Sequence, residues 1–315
     1  MAKATRAAFG EDLKRLGETN DRIVVLDADL SCSTMTKKFG DAFPDRFFQV
    51  GIAEGNMVGL AAGLALGGMV PFTASFACFI TGRFEQIRMS IGYNNANVTV
   101  VGTHSGIGIG EDGYSQMGLE DIAVMRSLPN MVVVQPADAV ETERATDFLA
   151  DYVGPAYLRL TRQSVPDIFD QGYRFDFGQG VVLRDGGDLT IVATGGVVGF
   201  ALEAAKALER EGIHVGVINM HTIKPIDAGL LRKAAANTGR ILTVEDHGVV
   251  GGLGSAVLDV LADVPDVIVH VHGVRGYGES GTHEDLYARH RLDAAGIAAV
   301  AKERLWAKKP TKAAS

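Results

Sequence analysis

Glu54 is the residue of this sequence whose setting most suggests acid–base chemistry. It lies in the segment GIAEGN, where the apolar run FFQV gives way to small residues with helical period. A carboxylate is favoured electrostatically near the N-terminus of a helix, so one interpretation is an ordinary acid of a first helical turn. The other interpretation is a buried acid that exchanges a proton with a ring nitrogen of a ligand.

A glycine-rich segment, THSGIGIGEDGYSQMG, follows the apolar run VTVVG. It begins with His104, which is either a structural group that closes a buried strand or a contact to a ligand. Four glycines lie between residues 106 and 113, and residues without a Cβ allow the backbone to approach another molecule closely. We therefore expect this loop to contact a substrate.

The elements around these residues predict a mostly parallel sheet. Short β-rich apolar runs alternate with segments of helical period, which is typical of a parallel sheet covered by helices on both faces. In such sheets, ligands bind at the carboxyl ends of the strands, where DADLSCST, GIAEGN and THSGIGIGEDG all lie. The predicted strands are 23–27, 47–50, 98–103, 131–135 and 156–160, and the predicted helices are 54–67, 78–91, 118–127 and 138–151.

The chain divides into two units of this kind. Residues 162–187 lose the apolar period and gather proline, glycine and aromatic residues, after which the strand and helix patterns begin again. We predict an α/β protein of two three-layer α/β/α domains: a first domain at 1–165, a linker at 166–187 and a smaller second domain at 188–315. Thr282, with an acid three residues later, predicts the start of the last helix.

These segments resemble the transketolase family. GIAEGNM, PFTASFACFITGRFEQIRMS, THSGIGIGEDGYSQMGLEDIAVMRSLPN and LRLTRQ resemble its pyrimidine-binding domain in order and spacing. IKPID and EDHGVVGGLGS resemble its C-terminal domain, so the resemblance covers essentially the whole chain. It implies an enzyme subunit that transfers a two-carbon ketol unit from a ketose or ketose phosphate to an aldose or aldose phosphate.

The resemblance also implies a cofactor site for thiamine diphosphate. Glu54 matches the acid that hydrogen-bonds the aminopyrimidine ring, and Phe76 and Phe79 match aromatic residues that line the ring's pocket. Without the resemblance, these phenylalanines would be interpreted as ordinary core residues. Asp29 matches an acid that reaches the cofactor across a subunit interface, so the resemblance implies self-association. Gly82 stands where a more aromatic form of the pocket has a third ring.

A second group of residues matches the substrate contacts of transketolases. His104 and Asp112 match residues that hydrogen-bond the hydroxyls of the ketose. Gln116 stands where many microbial transketolases have a histidine; glutamine can still donate a hydrogen bond to a developing oxyanion, but it cannot titrate. The residues that match contacts to the sugar phosphate are Arg6, Ser33 and Arg162.

The sequence lacks the segment that binds the cofactor's diphosphate in this family. Thiamine diphosphate enzymes hold the diphosphate through a divalent cation bound by a GDG segment and an asparagine some 25–30 residues later, and no GDG occurs here. The resemblance therefore implies no metal ligand in this chain and a separate partner subunit, similar to the N-terminal half of transketolase, that binds Mg²⁺ or Ca²⁺. We expect an α2β2 heterotetramer.

Three alternatives remain open at this stage. A beta subunit of a 2-oxo-acid dehydrogenase has the same layout, but THSGIGIGEDG and the phosphate-binding residues argue against it. A deoxyxylulose-phosphate-synthase-like enzyme shares GIAE and GEDG, but it has histidines where this chain has Ser115 and Gln116. A non-catalytic scaffold subunit would be expected to have lost Glu54 or the aromatic pair.

Composition excludes several other classes. The formal net charge is −8 and the basic residues are scattered, so no surface for nucleic acid is predicted. No apolar run reaches the length of a membrane span, and the N-terminus carries charges where a signal peptide needs an apolar core. The two cysteines of the chain have no CxxC spacing, so the sequence predicts neither a disulfide framework nor a zinc site. We therefore expect a cytoplasmic protein.

Overall fold

Most of the strands form two large sheets, and two short strands pair separately with each other. The structure is a computed structural model and describes residues 2–306, so residue 1 and the end of the predicted second domain, 307–315, lie outside the described residues. The strands are β1 (Lys3–Ala4), β2 (Ile23–Asp27), β3 (Phe47–Gln49), β4 (Val70–Phe76), β5 (Thr99–Thr103), β6 (Val132–Val134), β7 (Ala156–Arg159), β8 (Ser164–Val165), β9 (Val181–Arg184), β10 (Leu189–Ala193), β11 (Val215–Asn219), β12 (Thr222–Lys224), β13 (Arg240–Gly248) and β14 (Ile268–Val274).

Helices connect most of these strands, as the alternating pattern predicts. A π-helix spans Ile87–Tyr93, and short 3₁₀ turns follow β5. The α-helices are α1 (Thr5–Thr19), α2 (Ser31–Thr34), α3 (Lys37–Ala42), α4 (Glu54–Leu66), α5 (Ala77–Thr81), α6 (Phe84–Gln86), α7 (Asp121–Arg126), α8 (Ala139–Asp151), α9 (Val197–Glu209), α10 (Ala228–Thr238), α11 (Leu253–Leu261), α12 (His283–Arg289) and α13 (Ala294–Trp306).

The first sheet has seven strands in the order β12-β6-β7-β5-β4-β2-β3, and all of its pairs except β12–β6 are parallel. Alternate residues of one strand enter two separate cores. Ile23 and Val25 pack with α1, α3 and α8 on one face, whereas Val24 and Leu26 pack with α4, α7 and the π-helix on the other. This sheet is thus the middle layer of an α/β/α arrangement.

The second sheet has five strands in the order β14-β13-β10-β11-β9, parallel except for the β11–β9 pair. Leu189 and Ile191 face the core formed with α9 and α13, and Val192 faces the core formed with α10 and α11. The predicted fold class, two three-layer α/β/α domains with mostly parallel sheets, is confirmed.

The two units are joined more closely than their sequence pattern indicates. Strand β12 follows the second sheet's β11 along the chain, yet it pairs with β6 of the first sheet, where Thr222 lies opposite Val134. Strand β9 lies inside the stretch predicted as a linker at 166–187 and belongs to the second sheet. Phe175 and Phe177 of the same stretch pack their rings against Phe148 of α8.

Glu141 joins the first unit, the connecting stretch and the second unit. It is fully buried in α8 and accepts hydrogen bonds from the Tyr173 hydroxyl at 2.6 Å and from Asn219 Nδ2 at 2.8 and 3.0 Å. Asp138, the N-cap of α8, accepts the backbone N–H groups of Ile168 and Phe169. The connecting stretch is therefore held on the first unit by buried polar contacts.

A few local predictions differ from the structure. The helix expected at 78–91 is broken into α5, α6 and the π-helix, because Gly82, a poor helix former, ends α5. Thr282 does cap a helix, since its side chain accepts from Asp285 N, but α13 follows, so α12 is not the last helix. Within residues 2–306, no helix combines the length and apolar character needed to cross a membrane.

Candidate active site

The predicted site residues follow five adjacent strands of the first sheet. The strands β3, β2, β4, β5 and β7 are parallel neighbours, so the loops after them meet along one edge of the sheet. These loops carry Asp29 and Ser33 after β2, Glu54 after β3, Phe76 and Phe79 at the end of β4 and in α5, His104, Asp112 and Gln116 after β5, and Arg162 after β7.

Glu54 is a buried acid without a protein partner. It is the first residue of α4, its side chain is almost fully enclosed, and within residues 2–306 its carboxylate makes no hydrogen bond or ion pair. The positive end of the helix dipole stabilises a negative charge there. Within the described chain, the carboxylate oxygens of Glu54 have no hydrogen-bond partner and are not fully buried, so a ligand that brings a donor can reach them.

Phe76, Phe79 and His104 form a continuous stack of rings. The centroids of Phe76 and Phe79 are 5.4 Å apart with their planes at 10°, and those of Phe76 and His104 are 3.8 Å apart at 23°. Phe76 is buried and Phe79 is partly buried. Flat aromatic faces of this kind bind planar rings through offset stacking, which fits the predicted pocket for an aminopyrimidine.

His104 is buried, neutral and oriented by its neighbours. Its backbone has a φ of 55°, a conformation in which histidine is more common than most residues. Thr103 Oγ1 lies 2.9 Å from Nδ1 and donates to the Ser75 carbonyl, so the proton that satisfies both contacts is on Nδ1. Nε2, 3.3 Å from an Arg6 nitrogen, is then an acceptor. Burial, with the charges of Arg6 and Arg162, lowers the pKa of His104 to about 3.

Two guanidinium groups lie beside this histidine. Arg6 donates to the Ser33 carbonyl and to His104, and Arg162 donates to the Ile109 carbonyl at 2.7 Å. Burial and the nearby charge of Arg162 lower the pKa of Arg6, and its Nε is buried without a partner. Two like charges in proximity favour an anion between them, and guanidinium groups bind tetrahedral oxyanions well.

Asp112, Gln116 and Asp29 are not part of the contacts among these rings and arginines. Asp112 and Asp29 are exposed, and Gln116 is half-buried. Asp29 has a φ of 65°, and its backbone N–H donates to Gln49 Oε1 at 2.6 Å. Within residues 2–306, the side chains of these three residues make no hydrogen bond, so each is available to a ligand or to another chain.

Two glycines of the glycine-rich loop lie against the second unit, a contact that the sequence did not predict. A Cβ added to Gly106 would lie 2.1 Å from the Asp246 carboxylate, and one added to Gly113 would lie 2.5 Å from Ser280 Oγ. At these positions the lack of a Cβ admits protein atoms, not a ligand. Sequence reasoning missed Asp246, although its place near the carboxyl end of β13 was a usable signal.

A cluster of three carboxylates lies elsewhere, on the side of α1 and α8. Asp12, Glu143 and Asp147 are close enough to hold a cation. Arg15 already donates to Asp12 at 2.7 Å and to Asp147, so a positive charge is present there. We assign no metal site to it.

Comparison with known proteins identifies the family of this chain. The family model for the transketolase pyrimidine-binding domain matches residues 1–167, and the model for the transketolase C-terminal domain matches residues 178–297. The chain belongs to the transketolase family. The sequence resemblance is thereby confirmed.

This chain is similar both to proteins of about its own length and to proteins about twice as long. A Methanocaldococcus jannaschii protein that carries the name transketolase C-terminal section is 43% identical, with 94% of each chain covered. The 6-deoxy-6-sulfo-D-fructose transketolase subunit SqwH of Clostridium sp. strain MSTE9 is 39% identical over 95% of this chain and 93% of its own. Human transketolase is 41% identical over 94% of this chain, which spans only 48% of the human protein.

A solved structure supports the same assignment. A split-gene transketolase, described as an inactive beta4 tetramer, superposes with a TM-score of 0.90 and 46% identity over 97% of this chain and 99% of its own. This member of the transketolase family thus has the same fold as the split-gene relative, and it spans about half the length of human transketolase.

Proposed function

We propose that this chain is the pyrimidine-binding subunit of a split, thiamine diphosphate-dependent transketolase. It would transfer a two-carbon ketol unit from a ketose carrying an anionic end group to an aldose. The observation that carries the proposal is the unpartnered, buried Glu54 on the same sheet edge as the Phe76–His104 stack and two arginines. An acid, a flat apolar wall and an anion site are what this reaction requires.

The residues of this chain fit half of the cofactor. Glu54 has a free carboxylate for the nitrogen edge of an aminopyrimidine, and Phe76 and Phe79 offer a stacking face for the same ring. When bound, thiamine diphosphate supplies the nucleophilic carbon that attacks the donor's carbonyl group. Glu54 would hold a proton shared with the ring nitrogen, while the aromatic residues exclude water from that edge.

The substrate side of the site would act through neutral and cationic groups. Nε2 of His104 is an acceptor, so it would take a hydrogen bond from a hydroxyl of the ketose in place of the 3.3 Å contact with Arg6. Asp112 would accept from a further hydroxyl, and Gln116 would donate to a developing oxyanion. Arg6, Arg162 and Ser33 would bind the far end of the sugar. A phosphate or a sulfonate fits this chemistry, since both present tetrahedral oxyanions to guanidinium groups.

A partner subunit would supply what this sequence lacks. No GDG segment occurs in the chain, and the chain matches about half of human transketolase. We propose that a subunit resembling the N-terminal half binds the diphosphate and Mg²⁺ or Ca²⁺, in a heterotetramer of two copies of each chain, and that Asp29 contacts cofactor across an interface. The description of the split-gene relative as an inactive beta4 tetramer supports the expectation that this chain alone is inactive.

Reconstitution tests the proposal. This chain is purified alone and with a separate N-terminal-half subunit, and ketol transfer is assayed with phosphorylated and sulfonated ketoses. We expect activity only in the mixture, and Glu54→Gln should reduce kcat at least a hundredfold, about 3 kcal/mol of barrier. The exposed Glu203→Gln in α9 is the matched control and should leave kcat unchanged. A mixture that binds thiamine diphosphate but transfers nothing from any ketose, or a fully active Glu54→Gln, would refute the proposal.

A further inference from the structure

The carboxylate of Asp246 reaches from the second unit into the glycine-rich loop of the first. Oδ1 accepts the backbone N–H of Ile107 at 2.8 Å, and Oδ2 lies 3.4 Å from the backbone nitrogen of Gly108. Oδ2 also accepts the Tyr287 hydroxyl at 2.8 Å. Asp246 is 4% exposed, so these bonds form away from water, where charge-assisted hydrogen bonds are strongest.

The loop also packs into the core of the second unit. Ile107, Ile109 and Met117 belong to the same hydrophobic cluster as Val274 and Leu286, and all five are almost fully buried. His104 begins this loop and Asp112 lies within it. The substrate-facing residues of the first unit are therefore placed by a surface that the second unit provides.

A shift of the loop toward that surface would cause a steric clash, and a shift away from it would break hydrogen bonds. Gly106 has a φ of 77°, and the site of its missing Cβ is filled by the Asp246 carboxylate. Tyr287, which bonds to Asp246, also accepts a hydrogen bond from Gln163, the neighbour of Arg162. One carboxylate is thus connected to the loop that carries His104 and to the segment that carries Arg162.

We infer that Asp246 is a positioning residue for substrate binding, which sets the glycine-rich loop and through it His104 and Asp112. This role rests on the proposed function, because it assigns the loop to the ketose. Asp246 touches neither substrate nor cofactor in this role. The cofactor residues Glu54, Phe76 and Phe79 lie on other elements, and Phe76 meets the loop through its stacking on His104. We therefore expect cofactor affinity to change much less than the KM for the ketose.

The test compares two Asp→Asn changes in the reconstituted complex. Asp246→Asn keeps the shape of the side chain but replaces an acceptor with an amide N–H₂ group facing donors. Asp227→Asn is the matched control: Asp227 also lies in the second unit and accepts two backbone N–H groups, from Leu230 at 2.8 Å and Gly180 at 3.0 Å. The readouts are kcat, KM for the ketose, affinity for thiamine diphosphate, Tm and hydrogen exchange of residues 104–117.

We expect Asp246→Asn to lower kcat/KM for the ketose ten- to a hundredfold, because small displacements of positioning groups have effects of this size. KM should rise, cofactor affinity should stay within twofold of wild type, and exchange should quicken in residues 104–117. Asp227→Asn should change Tm alone. Tyr287→Phe removes one bond to Asp246 and should give a smaller effect of the same kind, which keeps the test open if Asp246→Asn does not fold.

Two results would overturn the inference. Wild-type KM and exchange in both Asp246→Asn and Tyr287→Phe would show that the loop is set by other contacts. A fall in activity that follows Tm equally in Asp246→Asn and Asp227→Asn, with KM unchanged, would show a structural role only. The inference fails separately from the proposed function, because both results require an active wild-type complex.

Discussion

Glu141→Gln should change how the stability of this chain depends on pH. Glu141 is fully buried and accepts hydrogen bonds from Ala137 N at 2.7 Å, from the half-buried Tyr173 and from the buried Asn219. Burial raises the pKa of Glu141 from 4.5 to about 7, although these hydrogen bonds act in the opposite direction. Glutamine has nearly the same shape but carries no charge at any pH.

The direction in which stability changes with pH follows from the difference in protonation of Glu141 between the folded and unfolded chain. Between about pH 4.5 and pH 7, the folded chain keeps a proton on Glu141 that the unfolded chain has released. The contribution of Glu141 to the free energy of unfolding is therefore largest below about pH 4.5. It decreases as the pH rises and levels off above about pH 7. At about 1.4 kcal/mol per pKa unit, the loss between pH 5 and pH 8 is about 2.5 kcal/mol.

Urea unfolding of wild type and Glu141→Gln at pH 5, 6, 7 and 8 measures this difference. The variant should be less stable at pH 5 by about 1–3 kcal/mol, because an amide N–H₂ faces groups that donate. The difference in free energy of unfolding between wild type and variant should then shrink by about 2.5 kcal/mol at pH 8. Glu143→Gln, two residues along α8 and half-buried, controls for the change of side chain. A gap that stays constant across the four pH values would refute the reasoning.

Three further predictions concern the loop and the anion site. Arg162→Ala should raise KM roughly ten- to a hundredfold for ketoses with a phosphate or sulfonate, and little for neutral ketoses, because a charge-assisted bond is lost; equal changes for both kinds of substrate would remove Arg162 from the anion site. His104→Asn should lower kcat/KM by the same factor at every pH from 5 to 8, because the pKa of His104 is about 3 and the ring is neutral throughout; a limb near pH 6.5 that only wild type shows would contradict this. Gly113→Ala should lower the free energy of unfolding by about 1–3 kcal/mol, since its φ is 75° and its Cβ would meet Ser280; Gly187→Ala, with open space around it, is the control, and equal effects in urea unfolding would show that the contact with Ser280 is unimportant.

Much of the first sheet can be predicted from the sequence, because its strands are short, apolar and β-rich. The strand at 23–27 was predicted with its observed bounds, and helices α4 and α8 to within a residue. The same patterning places Glu54 and His104 directly after predicted strands, whereas strand β4 (Val70–Phe76), which ends at Phe76, was not predicted. Parallel topology then brings them to one edge, which is why loop position alone indicates a site.

The features that could not be predicted depend on contacts between distant parts of the chain. Asp246 is 139 residues from Ile107, and no periodicity relates the two. Strand β12 has three residues, too few for an alternating pattern, and its partner lies in the other unit. The low pKa of His104 depends on burial by the surrounding fold and on Arg6, which approaches from the N-terminal helix. In each case tertiary contacts, not local preference, determine the outcome.

The pairing of β12 with β6 makes the second unit a protective cover for the first. Without residues 222–224, β6 would become an outermost strand with open backbone N–H and C=O groups. Its sequence, VVV, is apolar and β-branched, as in segments that recruit strands from other molecules. A fragment ending near residue 187 would therefore aggregate through this strand, and the two units are separable in sequence but interdependent in solubility.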